Sequence, residues 1–322
     1  MKKSRLCSLL SIEHPIIQAG LPLVSNPELV AAVSNAGGMG MLGHNAALPE
    51  GGDIAKNLRE NIRRVRHLTD KPFGVTLFLG NESIQELVEA VIEEVVKVVV
   101  TYGGSPAIYT GHLKENNVAV IHHVGTVRHA RGAEAQGVDA LIADGNEGGG
   151  RRAYDELPSM VLIPQVADAV SVPVIANAGI MDARGYVAAL ALGAQGVQLE
   201  ARFIATKECA AHPKFKEAIL SAIDTGTVVV GRYHIPMRLL RAPGSLKLRN
   251  GAYPPPDQAR TVWESHFNTR TQRLAMIEGD LENGLASCDA AVGLICDIVS
   301  AGEVVEGLVN GAAGIIAQLK DL

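Results

Sequence analysis

Three glycine-rich stretches carry the residues best placed to do chemistry. In Ala176-Asn177-Ala178-Gly179-Ile180-Met181-Asp182, small residues leave amide N–H groups open, and a helical pattern follows directly. A helix aims its positive end at its own start, so the two features together favour a phosphate. The competing reading is a tight turn with Asp182 as the helix N-cap. The stretch Asp144-Gly145-Asn146-Glu147-Gly148-Gly149-Gly150-Arg151-Arg152 sets consecutive glycines between a carboxylate and two arginines. Such a loop can approach a flat ligand closely, or it is a solvated connector. In Gln198-Leu199-Glu200-Ala201-Arg202-Phe203, Arg202 could help hold a phosphate, whereas Glu200 opposes one. A carboxylate about 6 Å from a phosphate charge costs roughly 3 kcal/mol at an effective dielectric of about 20, so Glu200 must point away, be paired, or weaken the site. His122 and His123 end a strand-like run. Adjacent strand residues point to opposite faces, so one of the two should face a ligand. With no H-E-x-x-H or comparable ligand set, no metal is expected.

The elements that must position these loops follow a regular rhythm. Short apolar runs at 15–19, 39–42, 73–78, 98–101, 118–122, 140–143, 172–176 and 197–199 alternate with helical patterns such as 26–35, 83–95, 126–136, 160–169 and 183–192. Strands alternating with helices imply βαβ units and a parallel sheet, and eight units close naturally into a (β/α)8 barrel. A doubly wound open sheet shares these signals, but no G-x-G-x-x-G follows the first strand. The near-repeat Ala135-Gln136-Gly137-Val138 and Ala194-Gln195-Gly196-Val197 enters two of the strands. After Ile204 the rhythm breaks into a Pro-rich stretch (Pro243, Pro254, Pro255, Pro256) and a helical pattern around 263–277, and an Ala-rich helical pattern returns from Ala290. The expected organisation is a barrel from 1–205 and 290–322, with a smaller, mainly helical lobe at 206–289 beside the barrel mouth.

Composition narrows the classes. The 322 residues are 47% hydrophobic, 20% charged and only 4% aromatic, which suits a large core of aliphatic side chains in a buried parallel sheet. A net charge of −5 without a basic block argues against nucleic acid as a partner. Cys7, Cys209, Cys288 and Cys296 form no CxxC pair or disulfide framework, so a reducing, cytoplasmic setting is expected. Lys2, Lys3 and Arg5 before an apolar run imitate a signal peptide, but the run stops at Glu13-His14-Pro15 without a cleavage site. The N-terminal stretch is therefore read as entry into the first strand. No apolar run is long enough for a membrane span.

Along nearly its whole length the sequence resembles the family of nitronate monooxygenases, FMN-dependent enoyl-ACP reductases and a related NADH:quinone reductase. The resemblance rests on His14-Pro15-Ile16-Ile17-Gln18, Ser34-Asn35-Ala36-Gly37-Gly38-Met39-Gly40, Pro72-Phe73-Gly74-Val75, the three loops, Gly279-Asp280 and Gly293-Leu294-Ile295-Cys296-Asp297-Ile298. The stretch from Val120-Ile121-His122-His123 to Val127-Arg128-His129-Ala130 is most similar to the quinone-reductase branch. The resemblance implies FMN with its phosphate at the seventh and eighth loops. Gln18, Ala19, Gly20 and Leu21 would then lie beside the flavin ring, and Ala178 and Gly179 would match the phosphate-binding glycines. Thr76 stands where an asparagine is usual. His123 stands where the branch has lysine, near the pyrimidine edge, and could stabilise a reduced, anionic flavin only when protonated. Asp144, Gly149, Gly150, Asn177, Glu200 and Ala201 complete the implied cofactor set.

Three departures from the family pattern matter. Glu147-Gly148-Gly149-Gly150-Arg151 replaces Glu-Ala-Gly-Gly-His, so Arg151 takes the place of the family's catalytic histidine. A guanidinium stays protonated and is no general base at neutral pH, but it grips carboxylates and phosphates well. Glu200-Ala201 replaces Gly-Thr, and Asp289-Ala290 replaces Gly-Gln. The resulting expectation is an FMN-dependent oxidoreductase, reducing a quinone or conjugated carbonyl with NAD(P)H as co-substrate. Arg151 would orient an anionic substrate, His123 would tune the ring, and His122, His123, Glu147 or Tyr154 would supply acid–base help. The alternatives are nitronate monooxygenase activity and a flavin-binding or degenerate member without turnover. The partner is a small molecule, with a homodimer as the candidate assembly.

Overall fold

A computed structural model describes residues 4–232, 235–250 and 266–320. Eight parallel strands close into a barrel: β1 (Ile16–Gln18), β2 (Met39–Gly43), β3 (Phe73–Phe78), β4 (Val98–Tyr102), β5 (Ala119–Val124), β6 (Ala140–Asp144), β8 (Val174–Asn177) and β9 (Gly196–Leu199). The last seam pairs β1 with β9, with Ile17 opposite Gln198. All eight expected runs are barrel strands, and the open-sheet alternative is excluded by that closure. Between them run α2 (Pro27–Asn35), α3 (Ile54–Leu68), α4 (Ile84–Glu93), α5 (Thr110–Glu115), α6 (Val127–Ala135), α7 (Ser159–Ala169), α8 (Ala183–Ala191) and the short α9 (Ala201–Ile204). In α3, for example, Asp53 caps the start by accepting from Lys56 N at 2.9 Å, and Leu58, Ile62 and Val65 recur at helical spacing on the buried face. At Gly40 a Cβ would collide with the Val30 backbone, so this glycine sets how closely α2 approaches β2.

The N-terminal stretch departs from expectation. Arg5–Leu10 is a helix, α1, capped by Ser4, whose hydroxyl accepts from Cys7 N at 3.1 Å. Its Leu6, Cys7 and Leu10 join Ile17, Met41, Ile121, Ile142 and Ile175 in one cluster that closes the N-terminal end of the barrel. The apolar run reads as strand-like, but its burial repeats at helical spacing because a barrel bottom needs a plug.

The segment 206–289 is described at 206–232, 235–250 and 266–289. It holds α10 (Pro213–Leu220), α11 (Pro243–Asn250) and α12 (Thr269–Met276), but also a hairpin of β10 (Thr227–Val230) and β11 (Met237–Leu240). The expected helical pattern around 263–277 is described only from residue 266, and Pro254–Pro256 lie outside the described residues. A short strand from the loop after β6, β7 (Gly150–Arg151), pairs antiparallel with β11, which ties that loop to the hairpin. Val228, Val230, Met237, Leu239 and Leu285 form the hairpin's own small core. The chain returns through a 3-10 turn at Ala290–Leu294 to α13 (Ala301–Leu319), which packs on α8 and α2. Among the described residues no helix is long and apolar enough to cross a membrane.

Candidate active site

A cavity of about 970 Å³ opens at the C-terminal ends of the barrel strands, where such barrels place their chemistry. One wall is aromatic and cationic. The Arg151 guanidinium carbon lies 4.7 Å from the Phe78 ring centroid. Phe78 and Tyr102 lie 5.2 Å apart, and Tyr102 meets His123 edge-on at 6.1 Å. Burial pushes the Tyr102 phenol up to about 12, so it stays protonated despite the nearby Arg151 charge. His122 and His123 both line the cavity. His122 Nδ1 lies 2.7 Å from Thr101 Oγ1, and burial, with His123 beside it, pulls His122 down to about 4, so it is neutral near pH 7. Thr76 Oγ1, two residues before Phe78 on β3, and His44 Nδ1 are buried polar atoms without a hydrogen-bond partner among the described residues. Such atoms carry an unmet desolvation cost, and both residues line the cavity. At Gly20 a Cβ would collide with the Thr76 side chain, so glycine keeps this end open.

Behind the wall lies a buried ionic network. Arg152 donates through Nη1 to Asp144 Oδ1 at 2.7 Å and Gly145 O at 2.9 Å, and through Nη2 to Gly149 O at 2.6 Å. Asn177 Nδ2 donates to Asp144 Oδ1 at 2.8 Å and to Glu200 Oε1 at 3.0 Å. His123 Nδ1 lies 3.5 Å from Asp144 Oδ2. Burial alone would raise Asp144, but the Arg152 charge and the His123 contact hold it well below the usual carboxylate range. Glu200 differs: burial pushes it up, and Arg152 offsets only part of that. Glu200 Oε2 also accepts from Gly149 N at 3.0 Å.

The loop after β8 has the expected backbone, with Ala178 and Gly179 both at positive φ (86° and 72°). Asp182 caps α8 by accepting from Arg184 N at 2.8 Å. The Gly179 amide, however, donates to Asp289 Oδ2 at 3.0 Å. Asp289 Oδ1 accepts from Ala291 N at 2.7 Å, and Ala290 N donates to Glu147 O at 2.7 Å. The chain around 287–291 thus lies as a strap over the turn. The implied FMN therefore fits at one end only. Open space receives a ring, whereas at the phosphate end the Gly179 amide is taken by Asp289 and the Glu200 carboxylate lines the cavity.

Of the residues expected from sequence, Ala19, Gly20, Leu21, Thr76, His122, His123, Asp144, Gly149, Gly150, Arg151, Glu200 and Ala201 line the cavity. Five do not. Gln18 is buried between β1 and β2, its Oε1 accepting from Met41 N at 3.0 Å and its Nε2 donating to Ser25 Oγ at 2.9 Å. The Glu147 carboxylate accepts from Ser159 N at 3.0 Å and Ser159 Oγ at 2.9 Å, which holds it at the start of α7. Asn177 serves the ionic network, and Ala178 and Gly179 lie under the strap. Tyr154 is exposed and does not line the cavity. Arg202 turns away, donating to Asp297 Oδ1 at 2.8 Å. Sequence reasoning missed Arg152, Phe78, Tyr102 and Cys288. The only signal for Arg152 was its place in the same loop as Asp144.

A sequence profile described as nitronate monooxygenase matches residues 3–101 and 81–311. A Staphylococcus aureus protein described as a probable nitronate monooxygenase is 35% identical over 271 residues, covering 70% of this chain and 75% of its own. A Mycobacterium tuberculosis protein named (3aS,4S,5R,7aS)-5-hydroxy-7a-methyl-1-oxo-octahydro-1H-indene-4-carboxyl-CoA dehydrogenase is 36% identical over 254 residues, covering 78% of this chain and 69% of its own. The structure of FabK from Thermotoga maritima superposes with a TM-score of 0.90 at 38% identity, covering 100% of this chain and 99% of that one.

Proposed function

This chain belongs to the nitronate monooxygenase family and is an oxidoreductase of that FMN-dependent group, and from that premise we propose that it is an NAD(P)H-dependent reductase of an anionic quinone or conjugated carbonyl. A flavin ring seated in the cavity supplies two-electron hydride chemistry. The observation that carries the choice of reaction is Arg151. At the cavity wall, 4.7 Å over Phe78, stands a fixed cation where the family resemblance places a histidine. A guanidinium takes no proton from a substrate, but it holds a carboxylate, phosphate or enolate-like oxygen in place. The Mycobacterium relative named for a carboxyl-CoA supports an acyl thioester as the anionic substrate class.

The chain's own residues divide the remaining work. Gln198 Nε2 lies 3.4 Å from His123 Nε2 and can donate to it, which assigns the His123 proton to Nδ1, facing Asp144. His123 is thereby oriented by Asp144 and Gln198 rather than left to rotate. Neutral His122, hydrogen-bonded to Thr101, is positioned as a donor or acceptor without charge. Phe78, Tyr102 and Leu21 make the walls apolar and keep water out of the hydride path.

Nitronate oxidation is the second reading, favoured by the family profile and the Staphylococcus relative. Flavin-loaded protein, mixed anaerobically with NADH or NADPH in one cuvette and with a nitronate in another, separates them. Loss of the visible flavin absorbance with the nicotinamide is expected. Bleaching by the nitronate alone would overturn the reductase assignment.

A further inference from the structure

We propose that Glu200 and Asp289 stand in for the cofactor phosphate, so that this site selects a flavin without one: riboflavin binds at least as tightly as FMN. This rests on the flavin reading above and departs from it at the phosphate end. In a (β/α)8 barrel an anion is held between the loops after the seventh and eighth strands by backbone amides and a helix N-terminus. Here one of those amides, on Gly179, is spent, and so is one in the loop after the sixth strand. Gly179 N–H goes to Asp289 Oδ2 at 3.0 Å, and in the adjoining loop Gly149 N–H goes to Glu200 Oε2 at 3.0 Å.

The adjoining loop is closely packed: a Cβ on Gly149 would already sit 2.9 Å from Glu200 Oε2 and 3.0 Å from the Cys288 backbone. Nor does the strap swing aside freely. Asp289 also takes the Ala291 amide, Ala290 N–H donates to Glu147 O, and Ser287 bridges to Leu239 of the hairpin. Charge points the same way. Glu200 and Asp289 are 9% and 2% exposed, and a phosphate dianion beside them meets like charge in a poorly screened site. The neighbouring cations are engaged: Arg152 with Asp144 and three carbonyls, Arg202 with Asp297, and Arg238 with Asn146 O and Thr227 Oγ1.

The ring end makes the opposite demand. Thr76 lines the cavity beside Gly20, and its buried Oγ1 has no partner among the described residues, so a polar heterocycle edge that displaces its cover would satisfy it. Asp144 and Glu200 line the same cavity further along, and a carboxylate accepts from a hydroxyl as readily as it repels a phosphate. The polarity of the tail end is thus inverted: acceptors for a polyol stand where donors for an anion would be.

The test compares dissociation constants of riboflavin and FMN for apoprotein at about pH 8, read by quenching of flavin fluorescence. It is run on the wild type and on the Glu200→Gly/Asp289→Gly double variant, with circular dichroism as the folding check. Wild-type protein is expected to bind riboflavin as tightly as FMN or more tightly, and the double variant to shift the ratio toward FMN by about tenfold or more. If the variant fails to fold, the wild-type ratio decides alone. Wild-type protein that binds FMN about tenfold more tightly than riboflavin would overturn this inference and leave the flavin reading standing. Uptake of FMN by the variant alone would support the inference. No uptake of either flavin by any folded form would overturn both.

Discussion

Asp289 is a carboxylate kept from water, with both oxygens taken by backbone amides. Burial first, and the Glu200 charge second, push it up to about 7, against the pull of Arg152. Arg238 and Cys288 also face it electrostatically. The folded carboxyl therefore keeps its proton to a higher pH than the unfolded one. Its contribution to stability is full below about pH 4 and is lost as pH rises toward about 7. Asp144 runs the other way: held low, it contributes at neutral pH and fades only in acid. Asp289→Asn is thus expected to flatten the fall in stability between about pH 5 and about pH 8, by a ceiling of about 4 kcal/mol. Urea unfolding of wild type and variant at the two pH values measures it, and equal slopes would refute the placement of the proton. At this scale the sequence was uneven. Glu200 and Asp289 were visible as departures from the family pattern, yet the partner of Asp289 depended on a contact to Gly179 across 110 residues that no local pattern encodes. Only the family resemblance separated Arg151 from Arg152, and the structure sets the first over Phe78 at the cavity wall and the second on Asp144.

Among the elements, the barrel strands were legible because most carry a short β-branched or aliphatic run, such as Val98–Val100 and Val174–Ala176, and alternate regularly with helical patterns. The hairpin β10–β11 was not, since two four-residue strands beside a Pro-rich stretch carry little periodicity. Helix α1 was missed because six residues are too few to show a helical period against an apolar background. Its role can be measured. Leu6 and Leu10 are buried against the inward side chains of β1, β2 and β5, so truncating either to Ala leaves a void at the barrel bottom rather than a trimmed surface. Each change is expected to cost about 2–5 kcal/mol of unfolding free energy. Because the cavity lies at the other end of the barrel, flavin affinity should change less than about twofold in the protein that remains folded. A matching loss of affinity would mean that α1 shapes the site as well as the core.

Across the whole molecule, the cavity is shared between two bodies of structure. Thr76 and His123 reach it from the barrel, while Met237, Gln272, Met276 and Ser287 reach it from the segment after β9. Phe215, Ile219, Ala275 and Met276 of that segment join the main core, whereas its hairpin has a small core of its own and is tied to the barrel loops by the β7–β11 pairing and Arg152 N donating to Pro236 O. A small apolar core and few strand pairs put the hairpin at the low end of local stability, where opening precedes global unfolding. A ligand that spans both sides binds only the closed arrangement. At about 100 times its dissociation constant it adds about 2.7 kcal/mol to whatever equilibrium it closes. Amide hydrogen exchange in β10, β11 and the strap should therefore slow by up to about a hundredfold when a flavin fills the cavity. Barrel strands such as β4 and β5, already protected to the global limit, should slow only with the melting midpoint. Uniform slowing in both regions would show that the barrel and the hairpin open as one cooperative unit and that the cavity is not their hinge.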